Sequence, residues 1–104
     1  MSPNGPETRG KPSVATKEKT EKARRFQVVL LNDDYTTMDF VVMILETIFR
    51  QSPAEAVQIM LKVHKEGRGV AGVYPHEVAE SKVIAVHEEA REAGYPLRVI
   101  LEEA

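Results

Sequence analysis

The hydrophobic period changes once within FQVVLLNDDYTTMDFV, residues 26–41, and this change predicts how the fold begins. The first six residues form a β-branched and apolar run, which is typical of a buried strand. The polar residues that follow Leu31 favour turns and helix caps. From Met38 onward apolar residues recur at helical spacing, which predicts an amphipathic helix with Thr36 or Thr37 as its N-cap.

A serine–proline pair predicts where a second helix begins. Ser52 at the N-cap, Pro53 at the first helical position and Glu55 at the third helical position make a capping box. The apolar spacing continues until Gly67-Arg-Gly69, where glycine favours the end of a helix. We therefore expect a helix over residues 53–66.

The rest of the chain predicts a strand, a helix and a final strand. Alternation over residues 70–78 indicates a strand, and Pro75 within it favours a sheet edge or a bend. Apolar residues then recur every three or four positions from Val83, and Gly94 marks the C-terminal end of this helix. The apolar run at residues 96–101 predicts the last strand.

The resulting order, β-α-α-β-α-β, predicts an α+β fold. We expect a compact sandwich in which a three-stranded antiparallel sheet carries three helices on one face. Because a chain of 104 residues is too short for a second core of useful size, we expect a single folded domain.

The charge is divided unevenly along the chain. Residues 1–25 carry seven basic and three acidic side chains, a net charge of +4, and residues 26–104 carry seven basic and thirteen acidic ones, a net charge of −6. The basic segment holds few apolar residues and cannot bury enough surface to offset the entropy lost on ordering. The sequence therefore predicts a disordered N-terminal extension at 1–25 and a core domain at 26–104.

Composition excludes several classes of protein. The chain has no cysteine, which removes disulfide frameworks, thiol catalysis and cysteine-ligated metals and fits a reducing compartment. No apolar run approaches the roughly 20 residues that span a bilayer, and the N-terminus lacks the apolar segment of a secretory signal. We expect a cytoplasmic protein without a membrane partner.

The candidate site is a polar cluster at residues 32–34, with Thr36 nearby and His64 in the second helix. Asx clusters after a strand often only form turns and caps, and this alternative stays open. Adjacent carboxylates also suggest acid–base chemistry or a hard metal, but no third carboxylate stands at ligand spacing. The three histidines form no zinc motif, and Gly67-Arg-Gly69 lacks the length and the lysine of a P-loop. We predict no metal, no cofactor and no catalytic residues.

The methionines suggest a different use for the same cluster. If the first two helices pack side by side, Met38 and Met60 line an apolar hollow whose rim holds Asn32, Asp33 and His64. Such a hollow suits a ligand with a cationic head and an apolar body, because carboxylate, amide oxygen and imidazole accept hydrogen bonds from an ammonium. A few charge-assisted hydrogen bonds of about 1.5–3 kcal/mol each, with apolar burial, suit micromolar affinity.

Three separated motifs resemble the signature of the ClpS family, the adaptors that deliver N-end-rule substrates to the Clp protease. They are VVLLNDDYT and MDFV within residues 28–41, VHxxG at 63–67 running into GVY at 72–74, and EVAExK at 77–82. The resemblance covers residues 26–104. It implies a ClpS-like core domain that binds N-degrons, proteins with an N-terminal Leu, Phe, Tyr or Trp, and delivers them to an AAA+ Clp unfoldase.

The resemblance also implies a role for each matching site residue. Asn32, Asp33 and His64 would bind the α-amino group of the substrate, and Asp34 would support the loop. The hydrophobic pocket for the first side chain would be formed by Thr36, Met38, Val41, Met60, Val63 and Leu97.

Further positions of the resemblance concern partners and specificity. Glu77 and Lys82 match positions that face the N-terminal domain of the unfoldase, of ClpA type with ClpC as the alternative. Met38 resembles the family's gatekeeper, which rejects β-branched Val and Ile. Two positions depart from the family pattern: Thr37 stands where proline is usual, and Pro75 stands where threonine is common. We expect a monomer.

A small nucleic-acid-binding or ribosome-associated α+β module is the main alternative, with the basic extension contacting phosphates. The acidic charge of residues 26–104 argues against it, as does the lack of aromatic residues among the basic ones. An enzyme that uses Asp33 and His64 is a more distant alternative.

Overall fold

The first strand lies at the centre of the sheet and organises the rest of the fold. The structure, a computed structural model, describes residues 24–104. Its elements have the following bounds: β1 Arg25–Leu31, α1 Met38–Thr47, α2 Pro53–Glu66, β2 Arg68–Pro75, α3 His76–Ala93 and β3 Arg98–Glu103. The predicted β-α-α-β-α-β order is confirmed.

The three strands form an antiparallel sheet in the order β2-β1-β3. Val28 of β1 lies opposite Gly72 on one side and Leu101 on the other. Since β2 is an edge strand and Pro75 is its last residue, the missing N–H of the proline removes no bond from the interior of the sheet. The predicted position of Pro75 at a sheet edge is therefore confirmed.

Local capping signals fix both helices that carry the site. Thr37, and not Thr36, is the N-cap of α1, and its Oγ1 accepts a hydrogen bond of 3.1 Å from the Phe40 N–H. Ser52 caps α2 in the same way, and the predicted helix over 53–66 is confirmed. The reciprocal bond of a capping box, from the Ser52 N–H to Glu55, is absent among the described residues.

The boundary between β2 and α3 differs from the sequence prediction. The helix begins at His76, seven residues before the predicted Val83, and shortens the strand accordingly. Pro75 has a φ of −59° and stands directly before the first helical residue, where a missing N–H and a fixed φ are tolerated. The prediction failed here because apolar residues continue to alternate beyond Pro75, as in a strand. In the structure Ala79 is already one of the buried residues of α3.

The core lies on one face of the sheet, and all three helices cover it. Val28 and Leu30 of β1 project toward the helices and are fully buried, as are Ile44 and Leu45 of α1 and Val86 of α3. Burial of each such side chain contributes about 1.5–3 kcal/mol relative to exposure. The predicted arrangement of three helices on one face of the sheet is confirmed.

Within residues 24–104, the opposite face of the sheet is covered by side chains of the sheet itself. Arg68 of β2 and Glu102 of β3 meet in a two-bond ion pair with an Nη1–Oε2 distance of 2.9 Å. Gln27 of β1 donates to the same carboxylate at 3.2 Å. The positions of β1 that pair with Arg68 and Glu102 lie on either side of Val29, so the ion pair passes over Val29. This explains why Val29 is fully buried on this open face.

The predicted extension at 1–25 lies outside the described residues apart from its last two, and Arg25 already belongs to β1. Within residues 24–104, none of the helices combines the length and the apolar character that crossing a membrane requires.

Candidate functional site

The turn between β1 and α1 is organised by one carboxylate. Asp33 Oδ1 accepts hydrogen bonds from the backbone N–H groups of Tyr35 at 2.8 Å and Thr36 at 2.7 Å, and Oδ2 accepts one from Thr36 Oγ1 at 2.7 Å. Partial burial raises the pKa of Asp33, but these hydrogen bonds and the positive charge of Arg98 lower it by more than burial raises it. The pKa of Asp33 therefore lies below its ordinary value. The carboxylate is therefore ionised and fixed at neutral pH.

A second bond joins this turn to the distant end of α2. The Asn32 N–H donates to the Gly67 carbonyl at 3.0 Å. Gly67 ends α2 with a φ of 91°, a left-handed conformation that glycine adopts without strain, and this turns its carbonyl away from the helix. His64 lies one turn before that glycine, so the bond brings the imidazole beside a turn that is 30 residues earlier in the chain.

Close approach of β2 holds the same end of α2 in place. A Cβ at Gly69 would lie 2.8 Å from Val63 Cγ2 and 3.3 Å from the Ile59 carbonyl oxygen. Only a glycine allows the strand to lie this close to the helix. Val63 is consequently packed against the sheet and is only 3% exposed.

The turn and the two helices enclose a hollow of about 380 Å³. Its polar side holds Asn32, Asp33 and His64, and its apolar side is formed by two residues each of α1 and α2. The complete lining consists of Asn32, Asp33, Asp34, Tyr35, Thr36, Thr37, Met38, Val41, Met60, Val63 and His64. Ligand cavities in proteins measure about 300–1,000 Å³, so this volume suits one side chain with its backbone groups.

Burial increases from the mouth of the hollow to its floor. Met38 is 45% exposed at the mouth, whereas Val41 at the floor is 6% exposed. The rim is open as well, since Asn32 and His64 are both exposed and neither side chain makes a hydrogen bond within residues 24–104. The hollow therefore offers free polar groups at its entrance and a water-poor apolar surface below.

Comparison with known proteins places the chain in a family. A family model described as "ATP-dependent Clp protease adaptor protein ClpS" matches residues 21–100. The chain belongs to the ClpS family. The ATP-dependent Clp protease adapter protein ClpS of Wolinella succinogenes is 62% identical over 80 residues, which are 77% of this chain and 78% of the relative. The ClpS of Lawsonia intracellularis is 53% identical over 97 residues, covering 93% of this chain and 89% of the relative.

A solved structure agrees with this assignment. The ClpS2 of Agrobacterium tumefaciens, bound to L-phenylalaninamide, matches with a TM-score of 0.75 and 34% sequence identity over 79% of this chain and 99% of its own. The resemblance to ClpS adaptors predicted from the motifs is thus confirmed, and with it the fold class. The relatives are named as adapters of the protease and not as enzymes.

The structure brings together most of the predicted site residues, but Leu97 lies elsewhere, and Asp34 lines the hollow without bonds that would support the loop. Leu97, predicted in the hydrophobic pocket, does not line this hollow; it is 4% exposed at the floor of a second hollow beyond Tyr35. Asp34, predicted to support the loop, is exposed and makes no hydrogen bond within residues 24–104. The bonds that close the turn come from Asp33 instead, because its carboxylate lies on the inner side of the turn.

The two positions predicted to contact the unfoldase differ from each other. Glu77 is exposed in the first turn of α3. Lys82 is half-buried; its Nζ donates to the Ile48 carbonyl at the end of α1 at 2.7 Å and lies 5.5 Å from the centroid of the Tyr74 ring. Lys82 therefore also holds α1 against α3.

Tyr35 and Thr37 also line the hollow and were not predicted from the sequence. Both are direct neighbours of the predicted site residue Thr36, and this adjacency was the available signal. Among the described residues no three histidines or carboxylates lie close enough together to bind a metal ion.

Proposed function

We propose that this chain binds proteins with an N-terminal Leu, Phe, Tyr or Trp and delivers them to an AAA+ Clp unfoldase. The observation that carries the proposal is the hollow itself, in which free polar groups at the rim lie directly above an apolar floor. A free amino terminus followed by an unbranched apolar side chain has the same division between a charged and an apolar part.

The rim provides acceptors for the α-amino group. This group has a pKa of about 7.7–8.0, is largely protonated at neutral pH and offers three N–H donors. The Asn32 amide oxygen and a neutral His64 nitrogen can each accept one hydrogen bond. Asp33 accepts three bonds within the turn, and a carboxylate has about four acceptor positions, so one position on Oδ2 stays available together with the full negative charge.

The floor provides the complement for the side chain. Val41 and Val63 form a fixed base, while Met38 and Met60 are flexible and adapt to side chains of different shape. Met38 stands at the mouth next to the amino-binding rim, where it would crowd a substrate that is branched at Cβ. In support, the ligand of the Agrobacterium relative, L-phenylalaninamide, has both a free α-amino group and a benzyl side chain.

Delivery requires a surface for the unfoldase, for which we propose Glu77 and Lys82. The partner is the N-terminal domain of a ClpA-type unfoldase, with ClpC as the alternative, and the adaptor acts as a monomer. ATP and peptide hydrolysis belong to the partner. We further propose that the extension at 1–25 assists the transfer of the bound substrate.

A degradation assay with purified unfoldase and peptidase tests this proposal. Two fluorescent substrates that differ only in beginning with Phe or with Met are degraded with and without the adaptor. We expect the adaptor to accelerate only the Phe substrate. Glu77→Ala should bind a Phe peptide normally but deliver it poorly, and removal of residues 1–24 should have the same pattern. Equal acceleration of both substrates, or none, would contradict the proposal.

A further inference from the structure

A second hollow lies on the far side of Tyr35 and is separate from the one that holds the first residue. It is shallow, has a volume of about 650 Å³ and is formed by the C-terminal part of α3 and the segment that follows it. Tyr35 lines both hollows and is 75% exposed, so its ring is the wall between them.

The floor of the second hollow is preformed. Ala90 and Leu97 are 3% and 4% exposed, and the Tyr95 ring packs on Phe40 with a centroid distance of 4.9 Å. Gly94 ends α3 with a φ of 81° and turns the chain so that the following residues lie beneath the helix face. A bound side chain would thus meet an apolar surface that needs no rearrangement.

The wall of the second hollow is basic. His87 and Arg91 are four residues apart on α3 and therefore share one face of the helix. Neither Glu88 nor Glu92 forms an ion pair with Arg91, and the guanidinium makes no salt bridge or hydrogen bond within residues 24–104. Of the lysines and arginines within residues 24–104, Arg68 alone forms a salt bridge, and Arg91 is the one that lines this hollow, so a free cation lies beside its apolar floor.

We propose that this second hollow binds an acidic side chain from one of the two residues that follow the first residue of the substrate, with Arg91 as its counter-ion. The inference rests on the proposed function: Tyr35 lines both hollows, so a peptide that leaves the first hollow across Tyr35 reaches the second. Glutamate fits this hollow because its methylene groups can lie on Tyr95 and Leu97 while its carboxylate reaches Arg91. The overall negative charge of the domain would weaken binding of an acidic peptide, so a preference for one requires a local basic group.

Fluorescence anisotropy with three matched peptides tests the inference. All three begin with Phe and differ only at positions 2 and 3, which are Gln-Gln, Glu-Gln or Gln-Glu. Against wild-type protein we expect one of the two Glu peptides to bind about two- to fivefold more tightly than the Gln-Gln peptide. Arg91→Gln should remove this preference and leave the affinity for the Gln-Gln peptide unchanged. Lys62→Gln removes the same charge from an exposed position of α2 that lines neither hollow, and should retain the preference.

The outcomes separate this inference from the proposed function. Tight binding of the Gln-Gln peptide without any preference for Glu would overturn the inference and leave the proposed function standing. Equal loss of the preference in Arg91→Gln and Lys62→Gln would also overturn it, since the effect would then be one of overall charge. Failure of the Gln-Gln peptide to bind would instead refute the proposed function, and the inference with it.

Discussion

Strand β1 and the turn that follows it are adjacent in sequence but are stabilised by different interactions. Val28 and Leu30 of β1 are held by apolar burial beneath three helices. The turn from Asn32 to Thr37 is held by the Asp33 carboxylate and by one backbone bond to Gly67, and its side chains stay largely exposed. The difference implies that stability depends mainly on the strand, whereas binding depends mainly on the turn, and that substitutions can separate the two properties.

The largest effect is expected from Leu30→Ala in the strand. Leu30 is fully buried, so its truncation removes apolar contacts and leaves a cavity, which costs about 2–5 kcal/mol of the free energy of unfolding. Urea denaturation measures this loss. The fraction of protein that remains folded should bind a Phe peptide with nearly unchanged affinity. A large loss of affinity in the folded fraction would show that core and site are not separable.

The opposite pattern is expected from Asp33→Ala in the turn. Loss of the carboxylate removes the charge facing the α-amino group and the three bonds that shape the rim, so we expect about 10- to 100-fold weaker binding of a Phe peptide. The free energy of unfolding should fall by only about 1 kcal/mol.

Asp34→Ala is the matched control for this substitution. It removes the same charge from the neighbouring residue, which also lines the hollow but is exposed and makes no hydrogen bond within residues 24–104. We expect Asp34→Ala to change the affinity by less than about threefold. Equal losses for the two variants would show that the turn acts only through its charge.

A smaller effect is expected at the mouth of the hollow. If Met38 rejects β-branched residues by crowding their Cβ, Met38→Ala should improve binding of a peptide that begins with Val by about tenfold relative to one that begins with Phe. Met43→Ala is the control, because Met43 lies on the same helix but packs on the core and does not line the hollow. An unchanged ratio of affinities for Val and Phe peptides in Met38→Ala would assign the selectivity to other residues.

The smallest effect is the dependence of stability on pH. Because the pKa of folded Asp33 lies below its ordinary value of 3.8, the ionised carboxylate stabilises the fold above that value, and the contribution is lost as the pH falls through the folded pKa. The Tm of wild type should therefore exceed that of Asp33→Asn at about pH 6, and the two values should converge as the pH falls through the folded pKa of Asp33. A difference in Tm that stays constant over this range would show that Asp33 is not charged in the turn.

Much of the fold could be predicted because its signals are local. Ser52 with Pro53 marks a helix start, and Gly67 and Gly94 each end a helix, since capping depends on only a few neighbouring residues. The predicted start of α3 was wrong because proline is tolerated both at the end of an edge strand and directly before a helix, and Pro75 occupies both positions. Only the packing of α3 on the sheet distinguishes these two possibilities.

The site was predicted less completely than the fold, because sequence patterns show neither the direction of a side chain within a turn nor contacts between distant residues. Asp33 and Asp34 are identical residues in adjacent positions, so no pattern shows which carboxylate lies on the inner side of the turn. The meeting of Asn32 with the end of α2 depends on a nonlocal backbone bond to Gly67. The position of Leu97 depends on how the chain turns after Gly94, which sequence similarity alone does not reveal.

The proposed function depends above all on the rim of the first hollow, which would bind a free, positively charged α-amino group. The decisive experiment measures, by fluorescence anisotropy, the binding of a peptide that begins with Phe and of its N-acetylated copy. Acetylation removes the charge and two of the N–H donors but keeps the benzyl group that would enter the floor. We predict micromolar or tighter binding of the free peptide and at least about tenfold weaker binding of the acetylated one. Equal affinities would show that the rim does not bind the α-amino group.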